Sequence, residues 1–223
     1  MKAKISEIFE SVQGEGLYLG EKQVFVRFFG CNLNCSFCDT SQNYFVEYEP
    51  GELFEDIALY NGPLHSVSFT GGEPLLQVDS LEEILKLTSY NGYRNYLETN
   101  GTLPGELRRV IKYVDIVAMD LKLPSSTGIG SFWGIHRKFL KVAQAKEVFL
   151  KAVICHDTRE EDIKEAISLV KDSRRQAVLV LQPNSYEDSP ELRSKTELFK
   201  GMCLKEDIAA CIIPQMHKLI GVK

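Results

Sequence analysis

Apolar residues fall in short, nearly unbroken runs, each closed by a glycine or a polar cluster. Val24-Phe25-Val26-Arg27-Phe28-Phe29 runs into Gly30, Ser66–Phe69 ends at Gly71-Gly72, and Asn95–Glu98 ends at Asn100-Gly101. Ile116–Met119, Val148–Ile154, Ala177–Leu181 and Ala210–Ile213 continue the series. Runs this short and this apolar predict parallel strands covered on both faces. Between them the apolar spacing turns helical. Leu81, Ile84, Leu85 and Thr88 form one stripe behind a Ser80/Glu83 capping box, and Ile163, Ala166, Ile167 and Val170 form another behind Thr158/Glu161. Segments 52–60, 104–113 and 190–204 also predict helices. Ser125–Ser131 reads as a loop, and the stretch from Leu123 to Lys146 leaves room for one more helix.

Alternating strands and helices imply a parallel sheet. A full eightfold barrel typically needs about 250 residues. This chain has 223, so an α/β fold built as an incomplete (β/α) barrel of six or seven mainly parallel strands fits better. A lone dinucleotide-binding fold is disfavoured, because no GxGxxG follows the first strand. Polar signals gather after the strands: the Cys31–Cys38 loop, Thr70-Gly71-Gly72-Glu73-Pro74, Glu98-Thr99-Asn100, Asp120-Leu121-Lys122, Gln182-Pro183-Asn184 and Pro214-Gln215-Met216-His217. Parallel-sheet enzymes build their sites at this carboxyl edge, so the six loops predict one shared pocket.

Composition narrows the class. Hydrophobic residues make up 44% and charged residues 26%, the mix of an ordinary globular protein rather than a disordered tail or a disulfide scaffold. No apolar run approaches the roughly 18–20 residues of a membrane span. The N-terminal stretch lacks the apolar core of a secretory signal, which predicts a cytoplasmic protein. Lys plus Arg number 26 against 31 Asp plus Glu, and no dense basic run appears. Nucleic-acid affinity comes largely from phosphate neutralisation, so a small-molecule substrate is favoured.

Six cysteines remain: Cys31, Cys35, Cys38, Cys155, Cys203 and Cys211. In a reducing compartment, a tight cluster such as the first three suggests metal rather than disulfides. Cys31-Asn-Leu-Asn-Cys35-Ser-Phe-Cys38 is a CxxxCxxC run. Three thiolates on one loop suit three corners of a 4Fe-4S cluster and leave one iron open. Zinc would want a fourth close ligand. The scattered three read as buried thiols, Cys155 being the one that ends a strand near the proposed site.

The CxxxCxxC run, with Phe37 before its last cysteine, and the Gly71-Gly72-Glu73-Pro74 run after the next strand resemble the radical S-adenosylmethionine superfamily. A narrower likeness covers most of the chain. Glu10-Ser11-Val12-Gln13-Gly14-Glu15-Gly16, Phe25-Val26-Arg27, Cys38-Asp39-Thr40 and the C-terminal Pro-Gln-Met-His-Lys resemble the 7-carboxy-7-deazaguanine synthases. The resemblance implies ring contraction of 6-carboxy-5,6,7,8-tetrahydropterin to 7-carboxy-7-deazaguanine with loss of ammonia, on the route to the queuosine and archaeosine bases of tRNA. It further implies a 4Fe-4S cluster, S-adenosylmethionine used catalytically, Mg2+, an electron donor such as flavodoxin or ferredoxin, and a homodimer. One domain would span 1–223, with substrate contacts in segment 1–23 and a tail, 214–223, closing the site.

The resemblance also distributes roles. Cys31, Cys35 and Cys38 would hold the cluster and Thr40 the Mg2+. Phe37, Cys38, Asp39, Gly72, Glu73, Asp120, Leu121, Lys122, Gln182, Pro183 and Asn184 would meet S-adenosylmethionine. Val12, Gln13, Gly14, Arg27, Thr70, Gln215 and His217 would meet the substrate. Arg27 suits a carboxylate, since a guanidinium donates two parallel hydrogen bonds. Taken without the resemblance, Thr40 and Thr70 read as turn caps and Arg27 as a strand-face residue with a packed stem. Two competing readings stay open: an activase for a glycyl-radical enzyme, which shares the cysteine and GGEP signals, and a non-catalytic iron–sulfur or zinc module.

Overall fold

A computed structural model describes residues 1–38, 43–60, 62–173, 177–216 and 221. Chain order gives β1 (Ala3–Val12), β2 (Lys22–Phe28), β3 (Val46–Tyr48), α1 (Pro50–Ala58), β4 (Ser66–Gly71), α2 (Val78–Tyr90), β5 (Asn95–Thr99), α3 (Pro104–Val110), β6 (Ile116–Asp120), α4 (Pro124–Thr127), α5 (Trp133–Ala143), β7 (Glu147–Ile154), α6 (Glu160–Lys171), β8 (Leu179–Pro183), α7 (Pro190–Lys205) and β9 (Ala210–Ile212). One sheet joins all the strands in the order β3-β1-β2-β4-β5-β6-β7-β8-β9. From β2 to β9 every neighbouring pair is parallel. The ends β3 and β9 do not meet, so the barrel is open.

The seven predicted parallel strands are all present. Two antiparallel strands add to them and correct the expected total of six or seven: β1 pairs with β2 and with β3. Segment 1–23 is therefore largely a strand of the sheet. A register shift between Ile5 and Glu7 breaks the inside–outside alternation of β1, which hides it in the sequence.

Alternation sorts the two sheet faces. Val24, Val26, Phe28, Val67, Phe69, Leu97, Val117, Leu150, Ala152, Leu179 and Leu181 point outward and are buried with Leu81, Ile84, Leu107, Phe139, Ile163 and Phe199 from the helices. The inward face is apolar only toward the amino ends of its strands, where Tyr96, Ile116, Ala118, Phe149 and Val180 cluster. Toward the carboxyl ends it turns polar.

Both predicted capping boxes are corrected. α2 begins earlier, at Val78, and the Ser80 hydroxyl donates to the Met1 carbonyl at 2.9 Å. Thr158 precedes α6 but its Oγ1 accepts from the Cys155 N–H at 2.7 Å, closing a turn instead. A capping box does form at α1, where Glu52 accepts from the Glu49 N–H at 2.9 Å. The expected Ser125–Ser131 loop starts as α4, with Ser126 and Thr127 buried. α5 is the helix hidden in 123–146.

Candidate active site

The polar carboxyl ends of the strands surround one cleft of about 670 Å³. Cys31, Cys35, Phe37 and Cys38 line it, together with Gly72, Asp120 and Lys122. Val12, Gln13, Gly14, Arg27, Thr70 and Gln215 line it as well, and Gln182 and Asn184 also reach the wall. Thus fifteen of the expected residues meet in one cavity. Glu73 and Leu121 turn their side chains into the protein, and Pro183 ends β8 beside the cleft. Asp39, Thr40 and His217 lie outside the described residues.

The cysteine loop is carried by glycines. Gly72 donates to the Phe28 carbonyl at 3.1 Å and Glu73 to the Gly30 carbonyl at 2.9 Å. A Cβ on Gly72 would stand 2.0 Å from the Gly30 oxygen, so only glycine lets the two loops lie this close. Glu73 is fully buried and accepts from Leu75 N, Thr99 Oγ1 and Asn100 N at 3.1, 2.9 and 2.7 Å. Burial pushes its carboxyl up to about 7, against the pull of those donors. It braces the loop from behind.

Three groups of contacts in the cleft went unassigned in the sequence, bringing in Glu98, Glu15, Lys151, Phe9 and Phe25. The first is Glu98, at the end of β5. Its Oε1 accepts from Gln13 Nε2 at 2.9 Å and its Oε2 from Thr70 Oγ1 at 2.9 Å. Gln13 also donates to Gln23 at 3.1 Å and accepts from Glu15 N at 3.1 Å. The second is the ion network of Glu15, Lys151, Asp120 and Lys122. Lys151 pairs with Glu15 and lies 3.8 Å from Asp120, which holds Lys122 at 2.9 Å. Burial opposes the charge of Lys151, but Glu15 and then Asp120 outweigh it and raise its pKa. Gln215 ties the tail to this network, donating to Glu15 at 3.0 Å and accepting from Ser185 Oγ at 2.7 Å. The third is an aromatic wall, Phe9 stacked on Phe25 at 5.2 Å, with Arg27 5.6 Å from the Phe9 ring and 3.4 Å from Glu7. A charge inside an apolar strand run was the available signal for Lys151, as it was for Arg27.

The donors suit a cluster and a polar cofactor. The six cysteines form no disulfide among themselves, and among the described residues no three His, Cys, Asp or Glu side chains gather to hold a single metal ion. Burial raises the pKa of Cys31 and Cys35, while Lys122 pulls both down. Asp120 Oδ1 and Gln182 Oε1 are buried in the cleft wall with no partner among the described residues. Orphaned acceptors of this kind suit ligand hydroxyl or amino groups. Cys155 is buried behind Asn184, whose Nδ2 lies 3.6 Å from its sulfur. Burial, then Glu187, pushes that thiol up to about 12, so it is inert.

The chain is similar to known proteins. Residues 25–192 match the radical SAM superfamily. The 7-carboxy-7-deazaguanine synthase of Geobacter sulfurreducens is 35% identical, covering 98% of this chain and 97% of that protein. Its counterpart in Methanocaldococcus jannaschii is 34% identical, covering 98% and 99%. The chain belongs to the 7-carboxy-7-deazaguanine synthase family.

The fold agrees as well. The crystal structure of QueE from Escherichia coli superimposes with a TM-score of 0.67 over 95% of this chain and 93% of that one, at 20% identity. Radical SAM membership brings a 4Fe-4S cluster and S-adenosylmethionine, and the three cleft cysteines are the thiols available to the cluster. The full-length match to this synthase family sets the activase reading aside. Among the described residues no helix is long and apolar enough to cross a membrane.

Proposed function

We propose that this synthase-family chain converts 6-carboxy-5,6,7,8-tetrahydropterin to 7-carboxy-7-deazaguanine with release of ammonia. The observation that carries the reading is that one cleft is lined both by the three thiols and by a carboxylate–amide–guanidinium set. When bound, the cluster held by Cys31, Cys35 and Cys38 and S-adenosylmethionine would supply radical hydrogen-transfer chemistry. The rest is positioning and exclusion of water by the chain.

Glu98 accepts from the donor edge of the pterin, and the Gln13 and Thr70 bonds hold its two oxygens in place. Both Gln13 N–H donors are engaged, so Gln13 meets the substrate through its carbonyl oxygen and through the backbone it shares with Val12 and Gly14. Arg27 exchanges Glu7 for the substrate carboxylate. The flat ring lies against Phe9 and Phe25. Gly72, Asp120, Lys122, Gln182 and Asn184 take the cofactor, with Asp120 Oδ1 and Gln182 Oε1 as its acceptors. Thr40 holds Mg2+, a hard ion suited to a hydroxyl and a substrate carboxylate. Tail 214–223 closes the cleft through Gln215, and the enzyme works as a cytoplasmic homodimer fed by a small electron-transfer protein.

The test is anaerobic reconstitution with reductant, Mg2+, S-adenosylmethionine and the pterin, read by mass spectrometry. Product over many turnovers without matching loss of S-adenosylmethionine is expected. Cleavage to 5′-deoxyadenosine with no deazaguanine would reject the substrate and restore the activase reading.

A further inference from the structure

Three successive residues at the end of β5 reach three different parts of the cleft. Glu98 holds Gln13 and Thr70, and Thr99 donates to Glu73 behind the GGEP loop. Asn100, only 4% exposed, reaches the cysteine loop. Its Nδ2 donates to Asn32 Oδ1 at 2.9 Å and lies 3.9 Å from Cys31 Sγ. Its Oδ1 accepts from Thr102 N at 3.0 Å and Thr102 Oγ1 at 2.6 Å. Thr102 Oγ1 in turn accepts from Asn32 Nδ2 at 2.9 Å. The main chain is fixed too: Asn100 N donates to Glu73 at 2.7 Å, and its carbonyl lies 3.2 Å from His136 Nε2. Gly101, at φ +69°, makes the turn that folds Thr102 back onto Asn100.

We propose that Asn100 is a positioning residue for the iron–sulfur cluster, its carboxamide aiming one N–H at Asn32 and the other at the sulfur of Cys31. The proposal rests on the cluster assignment above. Both amide hydrogens then have a named acceptor, and the carboxamide cannot flip, because Thr102 occupies its oxygen. Hydrogen bonds to cluster sulfurs help set the reduction potential. An N–H aimed at thiolate sulfur stabilises the more negative, reduced state. The bond therefore makes the cluster easier to reduce, and reduction must precede the radical step.

The test is an EPR-monitored redox titration of the reconstituted enzyme, without S-adenosylmethionine or substrate, so the readout does not depend on turnover. Asn100→Ala should take up iron and sulfide as the parent does, but with a reduced-to-oxidised ratio about threefold lower at a fixed potential. Asn32→Ala breaks the loop clamp yet leaves the N–H toward Cys31, and its ratio should stay near the parent's. An unchanged ratio in Asn100→Ala overturns the proposal, as does an equal fall in both variants, which would reduce Asn100 to a clamp. If Asn100→Ala does not load, Asn100→Ser, which keeps a side-chain oxygen for Thr102 but is too short to reach Cys31, must show the same direction of shift, and an unchanged ratio there overturns it. A parent enzyme that takes up no iron or sulfide would instead overturn the cluster assignment itself.

Discussion

His136 makes the apoprotein sensitive to acid. It lies on α5, fully buried, with its Nε2 3.2 Å from the Asn100 carbonyl. That geometry selects the neutral tautomer whose Nε2–H donates. Nδ1 is then buried with no hydrogen-bond partner among the described residues, in a ring packed beside Phe132 and Trp133. Protonation would place a second N–H where nothing accepts it. Burial accordingly lowers the pKa from 6.5 to about 4, with the Asn100 carbonyl and Asp120 opposing and Lys122 reinforcing. The folded value lies below the unfolded one, so this stabilisation is complete above pH 6.5 and is lost as pH falls toward 4. Linkage between these two values gives about 2 kcal/mol lost by about pH 5 and about 3 kcal/mol by full protonation. His136→Gln keeps an N–H for Asn100 and cannot titrate. Urea unfolding of both proteins at about pH 8 and about pH 5 isolates the histidine, because other groups titrate alike in each. The parent should lose about 2 kcal/mol more than the variant over that interval. Parallel losses would refute the burial argument.

Two further predictions concern the cleft. Gly72→Ala drives a Cβ against the Gly30 carbonyl and should cost about 1–3 kcal/mol, measured as a lower melting temperature together with reduced iron uptake. Lys151→Met leaves Glu15 without its cation, while Asp120 keeps Lys122, and should cost roughly 3–5 kcal/mol in urea unfolding. Adding Glu15→Gln should recover part of that loss, and no recovery would show that the pair does not act as a unit.

The parallel sheet was legible because strands buried on both faces leave a local signature, an apolar run with a polar stop. β1 and β3 left none: β1 changes register at Ile5/Glu7, and β3 is three residues long on the sheet edge. The capping boxes misled because a Ser or Thr three residues before Glu has other acceptors and donors once the chain folds, Met1 for Ser80 and Cys155 for Thr158. In the site the division is the same. Contiguous motifs, the cysteines and GGEP, could be read directly. The Glu98 and Lys151 contacts could not, because their partners depend on register. Asp120 lies opposite Lys151 across β6 and β7, and Arg27 lies opposite both Glu7 and Thr70. Glu15 reaches Lys151 only through the path of the loop after β1.

That loop joins packing to recognition. An open barrel of seven parallel strands leaves the amino-end half of its interior to be filled from elsewhere. The turn at Gly16–Tyr18 fills it. Tyr18 packs edge-on to Tyr96 at 5.7 Å and beside Phe149 at 6.4 Å, and its hydroxyl donates to Glu147. Gly16, at φ +66°, passes so close that a Cβ would stand 2.6 Å from the Phe149 ring. The loop is closed by Gln13 N to Glu21 O at 2.7 Å and Gly20 N to Gln13 O at 2.8 Å. These bonds fix the backbone of Gln13, and the loop then delivers Gln13 and Glu15 to the cleft. The residues proposed to read the substrate are thus held at one end of a segment whose other end is core. A change in the plug is transmitted to the cleft through a few residues of fixed backbone, so on the proposed function the QGEG run answers to both packing and substrate. This is a physical reason for its glycines, its amide and its carboxylate to occur together in one short stretch.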